Sequence, residues 1–321
     1  MPLSGVALVT GGAGFIGSHI AAALIDRGAR VRIIDDLSTG HHENMAEIGG
    51  DIDFIQASLT DAKALSRALQ NVEWVFHEAA IPSVPRSVAE PAETHEASVN
   101  ATFSLLLAAR DHKIRRLVYA ASSSAYGDQP ELPKREDMRP DPLSPYAVAK
   151  LVGEYYCQVF SRVYGLETVS LRYFNVFGPR QDPGSQYSGV ISRFIDALLN
   201  GEQPTIYGDG EQSRDFTYIS NVVDANLKAA ESESAVGQVI NIANGQRVTI
   251  NQIFEMVKKL TGRTNLQAQY APTRTGDVRD SLADLSLARA LLAYEPRVQL
   301  EEGLRSTIDW WTSSRFSKAA G

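Results

Sequence analysis

Tyr146 and Lys150 are the two residues whose types and spacing most directly indicate chemistry. They lie four positions apart in SPYAVAK, so on a helix both side chains would share one face, about one turn apart. A lysine ammonium beside a phenol favours the phenolate and lowers a pKa that is ordinarily near 10. Tyr146 is therefore a candidate general base near neutral pH. Because such pairs also occur on solvated helices, the interpretation depends on the rest of the chain.

Three consecutive serines, Ser122, Ser123 and Ser124, end an apolar segment upstream of this pair. In open parallel sheets, ligands bind outside the carboxyl ends of the strands. We therefore expect this run to border a ligand site. Ser124 could equally satisfy only backbone groups at the strand end.

A second signal is a glycine-rich turn in VALVTGGAGFIGSHI, which follows an apolar run beginning at Val6. Gly12, Gly14 and Gly17 fit the G-x-G-x-x-G pattern of dinucleotide-binding units, and Gly11, Gly14 and Gly17 fit G-x-x-G-x-x-G equally well. The glycines allow a tight turn, close approach to a pyrophosphate and close packing of helix on strand. The N-terminus of the following helix would offer N–H groups to the phosphates. A mere strand-to-helix turn is the alternative.

A carboxylate in the expected place supports a dinucleotide site. The apolar run Val31 to Ile34 ends at Asp35, eighteen positions after Gly17, where a carboxylate can bind the adenosine ribose. No arginine follows Asp35 to hold a 2′-phosphate. The pattern therefore favours NAD over NADP.

Strand and helix patterns alternate through the first half of the chain, which predicts an α/β fold with a doubly wound parallel (Rossmann) sheet. The expected strands are 6–9, 31–34, 53–56, 72–77, 116–121 and 168–173, and the expected helices are 18–27, 61–69, 91–111 and 146–164. We assign 1–175 to an NAD-binding domain with return segments near 214–243, and 176–321 to a smaller α/β substrate-binding lobe. Expected elements there include helices 190–199, 221–230 and 250–260 and strands 205–207 and 239–242.

Composition agrees with an enzyme-sized globular chain. Its 321 residues, 44% of them hydrophobic, suffice for two lobes. A net charge of −7 gives no general attraction to nucleic acid or anionic membranes, and no run of eighteen apolar residues is present. We expect a cytoplasmic protein without a metal site. The single cysteine, Cys157, lies in a helical pattern and is expected to be a buried structural thiol.

With these residues in view, the chain resembles the extended short-chain dehydrogenase/reductase family, specifically the UDP-hexose 4-epimerases. The resemblance runs from Leu3 to Trp311. Besides the glycine turn and the Tyr-Lys pair, it rests on FHEAA at 76–80, SSSAYGD at 122–128, RYFNVFGPR at 172–180, GDGEQSRDFTYI at 208–219 and RTGDVRDSLAD at 274–284. It implies tightly held NAD, a UDP-sugar between the lobes and Tyr146 as the base. A 4-keto sugar would form, turn and be reduced on its other face.

The resemblance also assigns individual positions. Ser122 matches the serine that hydrogen-bonds the reacting hydroxyl, with Ser123 as second choice, and Asn100 matches a helix asparagine that supports the active site. The remaining cofactor positions are Phe15, Ile16, Asp36, Ser38, Leu59 and Ala79. The remaining substrate positions are Asn175, Val190, Tyr207, Arg214, Arg274, Asp277 and Ser281. Ser58 stands where related sequences often carry the aspartate of an adenine-binding pair, which leaves that contact open.

Ser281 matches a position that borders the sugar pocket in the related epimerases. A small residue there implies acceptance of N-acetylated UDP-hexoses, because a tyrosine ring would overlap the acetamido group. The resemblance therefore implies interconversion of UDP-GlcNAc and UDP-GalNAc, and of UDP-glucose and UDP-galactose. It also implies a homodimer formed through helices that contain Leu105 to Leu107 and Leu151 to Val159.

Three alternatives remain at this stage. A 4,6-dehydratase would need an Asp-Glu pair where Ser123 and Ser124 stand, which argues against it. A UDP-glucuronate 4-epimerase or decarboxylase would need a cation for the C6 carboxylate, and Arg86 is a candidate. A non-enzymatic NAD-sensing regulator would not need to retain Tyr146 and Lys150.

Overall fold

The computed structural model describes residue 3 and residues 5–182, 189–273 and 278–319, with side chains described as far as 313. The strands are Val6–Thr10 (β1), Arg30–Asp35 (β2), Ile52–Gln56 (β3), Trp74–His77 (β4), Arg116–Ser122 (β5), Glu167–Tyr173 (β6), Val176–Phe177 (β7), Thr205–Tyr207 (β8), Ser213–Asp215 (β9), Thr217–Tyr218 (β10), Val239–Ile242 (β11), Arg247–Thr249 (β12) and Gln269–Ala271 (β13). The helices are Phe15–Asp26 (α1), His42–Ala46 (α2), Ala62–Ala68 (α3), Val84–Ala89 (α4), Pro91–His95 (α5), Ala101–Asp111 (α6), Pro145–Tyr164 (α7), Val190–Asn200 (α8), Ile219–Glu231 (α9), Ile250–Leu260 (α10), Ser286–Leu292 (α11) and Leu300–Ala319 (α12).

Seven parallel strands form the central sheet in the order β11-β6-β5-β4-β1-β2-β3. The strand order reverses between β1 and β4, and such a switch point is where doubly wound sheets bind their ligands. The predicted doubly wound parallel sheet is confirmed. Strand β11 returns late in the chain to pair with β6.

Both faces of this sheet are covered by apolar helices, because successive strand residues point to opposite sides. In β1, Val9 packs into a core with Ile20 of α1, whereas Leu8 packs into a second core with Leu105 of α6. A third core, around Phe194 of α8, belongs to the C-terminal lobe. Cys157 is buried and has a free thiol, as expected.

The helix predicted over 91–111 is interrupted by a wider, π-helical segment at Glu96–Asn100. The Thr102 hydroxyl donates to Ser98 O at 2.5 Å and lies 2.8 Å from His77 Nε2. A side chain that competes for a backbone carbonyl is a known cause of irregular helix geometry. The contact ties this segment to β4, which leads into the ligand-binding edge of the sheet.

The two lobes also meet at Glu47, just after α2. Its side chain accepts hydrogen bonds at 3.1 Å from both Arg180 Nε and Trp310 Nε1 of α12. The segment before Arg180 is held to α1, because His19 Nε2 lies 3.0 Å from Pro179 O. Among the described helices, none has both the length and the apolar character required to cross a bilayer.

Candidate active site and cofactor cleft

The glycine turn after β1 adopts the geometry of a dinucleotide site. Gly11 has a φ of +67°, and a Cβ there would meet Ala79 N at 2.7 Å. A Cβ on Gly17 would collide with the carbonyl oxygen of Gly11. Gly12 instead packs against Ile33, where a Cβ would lie 2.7 Å from the side chain. Of the two sequence patterns, the structure therefore favours the one built on Gly11, Gly14 and Gly17, all three of which line the main cleft.

Helix α1 begins at the cleft without a competing cap. Gly14 is its N-cap residue, no side chain caps it, and its first turn contains no acidic residue. The N–H groups of this turn are therefore available to a phosphate, and the helix dipole favours the negative charge. Together with the glycine geometry, this end of the cleft fits a pyrophosphate.

Asp35 and Asp36 follow β2 at the same end of the cleft. Asp35 is buried, and its two carboxylate oxygens accept hydrogen bonds from Ala13 N at 3.0 Å and Leu37 N at 2.8 Å. Burial raises the pKa of Asp35, and these two amides lower it. Asp36 is exposed and accepts from Ser38 N at 2.9 Å. Because a carboxylate oxygen can accept more than one bond, both aspartates can still contact a ribose.

The main cleft has a volume of about 970 Å³. It follows the carboxyl edge of the sheet and is closed on its other side by segments of the C-terminal lobe. The predicted site residues that line it are Gly11, Gly14, Phe15, Ile16, Gly17, Asp35, Asp36, Ser38, Leu59, Ala79, Ser122, Ser123, Tyr146, Asn175, Arg214 and Ser281. One continuous cleft thus joins the predicted cofactor and substrate positions. Ser58, the departure noted in the sequence, also lines it.

Ser122 and Tyr146 meet in the middle of this cleft. Ser122 ends β5, and Tyr146 lies in the first turn of α7, which Ser144 caps by accepting from Ala147 N at 3.2 Å. Burial raises the pKa of Tyr146 above its ordinary value, and a hydrogen bond with Ser122 opposes that shift. Ser124 donates its hydroxyl to Ser122 at 2.8 Å, so it orients the Ser122 side chain.

Lys150 lies one turn further along α7. The sequence predicted that Lys150 lowers the pKa of Tyr146, but in the structure it does not. The burial of Tyr146 outweighs every opposing effect. The Lys150 ammonium donates instead to Ala120 O at 2.8 Å and lies 5.2 Å from the centre of the Tyr119 ring. Its own pKa is lowered, because burial disfavours the charged form.

Glu78 is a cleft residue that sequence reasoning did not assign. It follows β4 directly, lines the cleft and accepts a hydrogen bond from Tyr173 OH at 2.9 Å. Burial raises its pKa, with opposing contributions from Tyr173 and Lys150. The available signal was a charged residue directly after a fully buried strand, within FHEAA.

On the substrate side, Asn175 connects the two lobes. Its side chain donates to Asp215 O at 3.0 Å and to Ser281 Oγ at 3.3 Å. Ser281 is buried in the cleft wall, and its hydroxyl also lies 3.4 Å from Asp215 N. Arg214 reaches the cleft while donating to Arg279 O at 3.0 Å. These contacts fix Ser281 beside the residues predicted to bind the diphosphate.

Val190 and Tyr207 lie in an adjoining pocket of about 220 Å³ rather than in the main cleft. Asn175 and Arg214 line both cavities, so the pocket is a side branch of the cleft. The guanidinium of Arg193 lies 5.4 Å from the centre of the Tyr207 ring. An aromatic wall with an adjacent cation suits a planar base, which agrees with the predicted position of Tyr207.

Some predicted residues are placed elsewhere. Asn100 is exposed and is not among the residues that line the cleft, but it donates to Glu96, which does line it. The role of Asn100 in supporting the active site stays a prediction. Arg274 and Asp277 lie outside the described residues.

Arg86 of α4 does reach the cleft, but its charge is already balanced. It donates to Glu93 at 2.7 and 3.2 Å and to Glu90 at 3.4 Å. Glu93 lies near Asp36, as the effect of Asp36 on the pKa of Glu93 shows. Arg86 and Glu93 both line the main cleft, and the two glutamates pair the guanidinium there.

Comparisons with known proteins agree with this site. A family model described as "NAD dependent epimerase/dehydratase family" matches residues 7–243. The structure of a UDP-N-acetylglucosamine 4-epimerase from Methanobrevibacter ruminantium, in complex with UDP-N-acetylmuramic acid, is 43% identical, with a TM-score of 0.92 over 97% of this chain and 99% of that one. A UDP-glucose 4-epimerase from Thermotoga maritima, solved with UDP-glucose, is 39% identical, with a TM-score of 0.92 and the same coverage of both chains.

Another relative is named UDP-glucuronate 4-epimerase, from Thermodesulfobacterium geofontis. It is 33% identical over 95% of this chain and 96% of its own length. Proteins similar to this chain along its whole length are thus named for three different UDP-sugars.

Proposed function

Because the chain belongs to the NAD-dependent epimerase/dehydratase family, we propose that it interconverts UDP-hexoses at C4 with Tyr146 as the catalytic base. The observation that carries this assignment is that Tyr146 and Ser122 line one cleft together with the glycine turn. That arrangement places a proton acceptor beside a cofactor site. A sensor of NAD would not require it.

NAD held by the glycine turn and Asp35 would supply the hydride acceptor for C4 of the sugar and the donor for its opposite face. The protein supplies the proton chemistry. Tyr146 takes the proton of the C4 hydroxyl, which leaves a 4-keto sugar, and gives a proton back after the sugar has turned. Ser122 holds the reacting oxygen, and Lys150 helps to bind the cofactor. Firm binding of the nucleotide by Asn175 and Arg214 allows the hexose to turn while attached.

The test of the base is Tyr146→Phe in the NAD-loaded protein. Loss of the phenol proton acceptor should lower kcat by roughly 10²–10⁴-fold while NAD remains bound. Lys150→Ala should weaken both turnover and NAD retention. Near-wild-type turnover by Tyr146→Phe, measured with any UDP-hexose that the wild type converts, would remove the proposed mechanism.

We further propose that the substrates include UDP-GlcNAc and UDP-GalNAc as well as UDP-glucose and UDP-galactose. Ser281 is the support, since it is a small residue in the cleft wall next to Asn175. A serine leaves room for an acetamido group and offers a hydroxyl to its amide. The relative from M. ruminantium, named for UDP-N-acetylglucosamine, agrees with this proposal. NMR of anomeric signals during incubation with these four sugars and UDP-glucuronate tests it.

The structure gives no support to the uronate alternative through Arg86. A C6 carboxylate needs a cation or strong donors at the sugar, but the charge of Arg86 is already balanced by Glu93 and Glu90. Turnover of UDP-glucuronate in the same panel would contradict this reading.

We also propose a homodimer formed through α7 and α6. Of the leucines predicted for this contact, Leu105, Leu106 and Leu151 are buried within the monomer, so they serve its own core. The large apolar side chains that remain exposed on these helices are Phe103, Val148, Tyr155, Val159, Val163 and Tyr164. An apolar face of this extent favours a contact with a second copy.

A further inference from the structure

The carboxylate of Asp215 is a buried charge that the mechanism above does not use. Asp215 ends β9, directly after Arg214 of the cleft wall, and its side chain is completely buried. Burying a carboxylate is costly unless it is paired or hydrogen-bonded. The position of this charge therefore depends on the groups that donate to it.

The donors are backbone N–H groups of two separate segments. Oδ1 accepts from Asn244 N at 2.9 Å and Oδ2 accepts from Gly245 N at 3.1 Å, in the loop that follows β11 of the central sheet. Oδ2 also accepts from Ala283 N at 3.2 Å, two residues after Ser281. One carboxylate thus joins a loop of the central sheet to the segment that carries Ser281.

The Ser281 side chain is oriented by the same residue. Its Oγ accepts a hydrogen bond from Asp215 N at 3.4 Å and another from Asn175 Nδ2 at 3.3 Å. A hydroxyl has two acceptor lone pairs and one hydrogen to donate. These two bonds occupy the lone pairs, so the Ser281 hydroxyl is held as a donor in the wall of the cleft.

We propose that Asp215 is a positioning residue for substrate selection, whose carboxylate holds Ser281 so that its hydroxyl donates to the acetamido carbonyl of an N-acetylated UDP-hexose. This inference rests on the proposed function, which places the sugar beside Ser281. The acetamido group offers a carbonyl acceptor that the C2 hydroxyl of UDP-galactose does not. Asp215 acts through Ser281 and needs no contact with the sugar.

The test compares the dissociation constants of UDP-GlcNAc and UDP-galactose, measured by calorimetry on NAD-loaded Tyr146→Phe so that the bound sugar is not converted. Adding Asp215→Ala should weaken UDP-GlcNAc relative to UDP-galactose by roughly tenfold, about the value of one hydrogen bond. The ratio of the two constants does not depend on the folded fraction, so a loss of stability alone leaves it unchanged. Asp309→Ala, on the exposed surface of α12, is the matched control and should keep the parent ratio.

Because Asp215 acts through Ser281, Asp215→Ala should change the ratio little when Ser281→Ala is already present. An unchanged ratio in Asp215→Ala alone, or an equal shift in the Ser281→Ala background, would overturn the proposal. If Asp215→Ala does not fold, Asp215→Asn decides by the same two comparisons, because its amide offers an acceptor at only one of the two oxygen positions. Failure of the epimerase assignment itself is recognised separately, as turnover that survives in Tyr146→Phe.

Discussion

The proposed substrate range depends on Ser281. We expect Ser281→Tyr to suppress turnover of UDP-GlcNAc by at least roughly 100-fold while sparing UDP-galactose, because a ring at this wall excludes the acetamido group without touching the C2 hydroxyl. Paired rates for the two sugars measure the effect. Ser281→Ala is the matched control, since it removes the hydroxyl without filling the space. Equal loss of both sugars in the tyrosine variant would contradict an exclusion mechanism.

The roles of individual residues could be predicted where the residue type and its spacing indicate a particular chemistry. The spacing of Tyr146 and Lys150 indicated a general base only in the context of the rest of the chain, and the three glycines indicated a cofactor site together with Asp35. The pKa of Tyr146 could not be predicted, because burial is set by distant segments and here dominates. Glu78 was missed for the same reason, since a carboxyl becomes chemically special only where the fold desolvates it.

The buried imidazole of His77 connects strand β4 to strand β1 and to helix α6. His77 Nδ1 lies 2.8 Å from Thr10 Oγ1, and Nε2 lies 2.8 Å from Thr102 Oγ1. Burial lowers the pKa of His77 from 6.5 to about 3, so the folded protein keeps it neutral. The unfolded chain binds a proton below pH 6.5 that the folded chain does not, and acidification therefore favours unfolding.

From this difference we expect His77 alone to cost about 2 kcal/mol of folding free energy between pH 7.5 and pH 5. His77→Gln keeps a donor and an acceptor but does not titrate, so its stability should fall less over the same interval. Urea denaturation of both proteins at the two pH values gives the comparison. An equal loss of folding free energy in the two proteins would show that His77 does not contribute to the pH dependence of stability.

The long elements followed from the sequence, whereas most short ones did not, and the three-residue strand β8 is an exception. The buried parallel strands read as continuous apolar runs, which is why the sheet was predictable. Helices α2 and α4, of five and six residues, carry too little periodicity to be recognised. The π-helical segment depends on Thr102 and His77, which are far apart in sequence.

For the molecule as a whole, the exposed face of α7 predicts self-association. Val159 and Val163 are 47% and 66% exposed, one turn apart on the same face. We expect the wild type to be a dimer at micromolar concentration by light scattering, and Val159→Glu to be largely monomeric, because the new charge would be buried at the interface. Lys259→Glu places the same residue on the exposed surface of α10 and should remain dimeric. A monomeric wild type would refute the dimer.

The contacts of Glu47 connect helix α12 to the wall of the cofactor cleft. Arg180 lines the cleft, and Glu47 connects it to Trp310 near the end of α12. We expect Glu47→Ala to shorten the residence time of NAD, measured by its dissociation into charcoal-treated buffer, with little change in the fold. An isomerase that restores its own cofactor in each cycle gains nothing from exchanging it. Helix α12 would then help the enzyme to retain one NAD molecule through successive catalytic cycles.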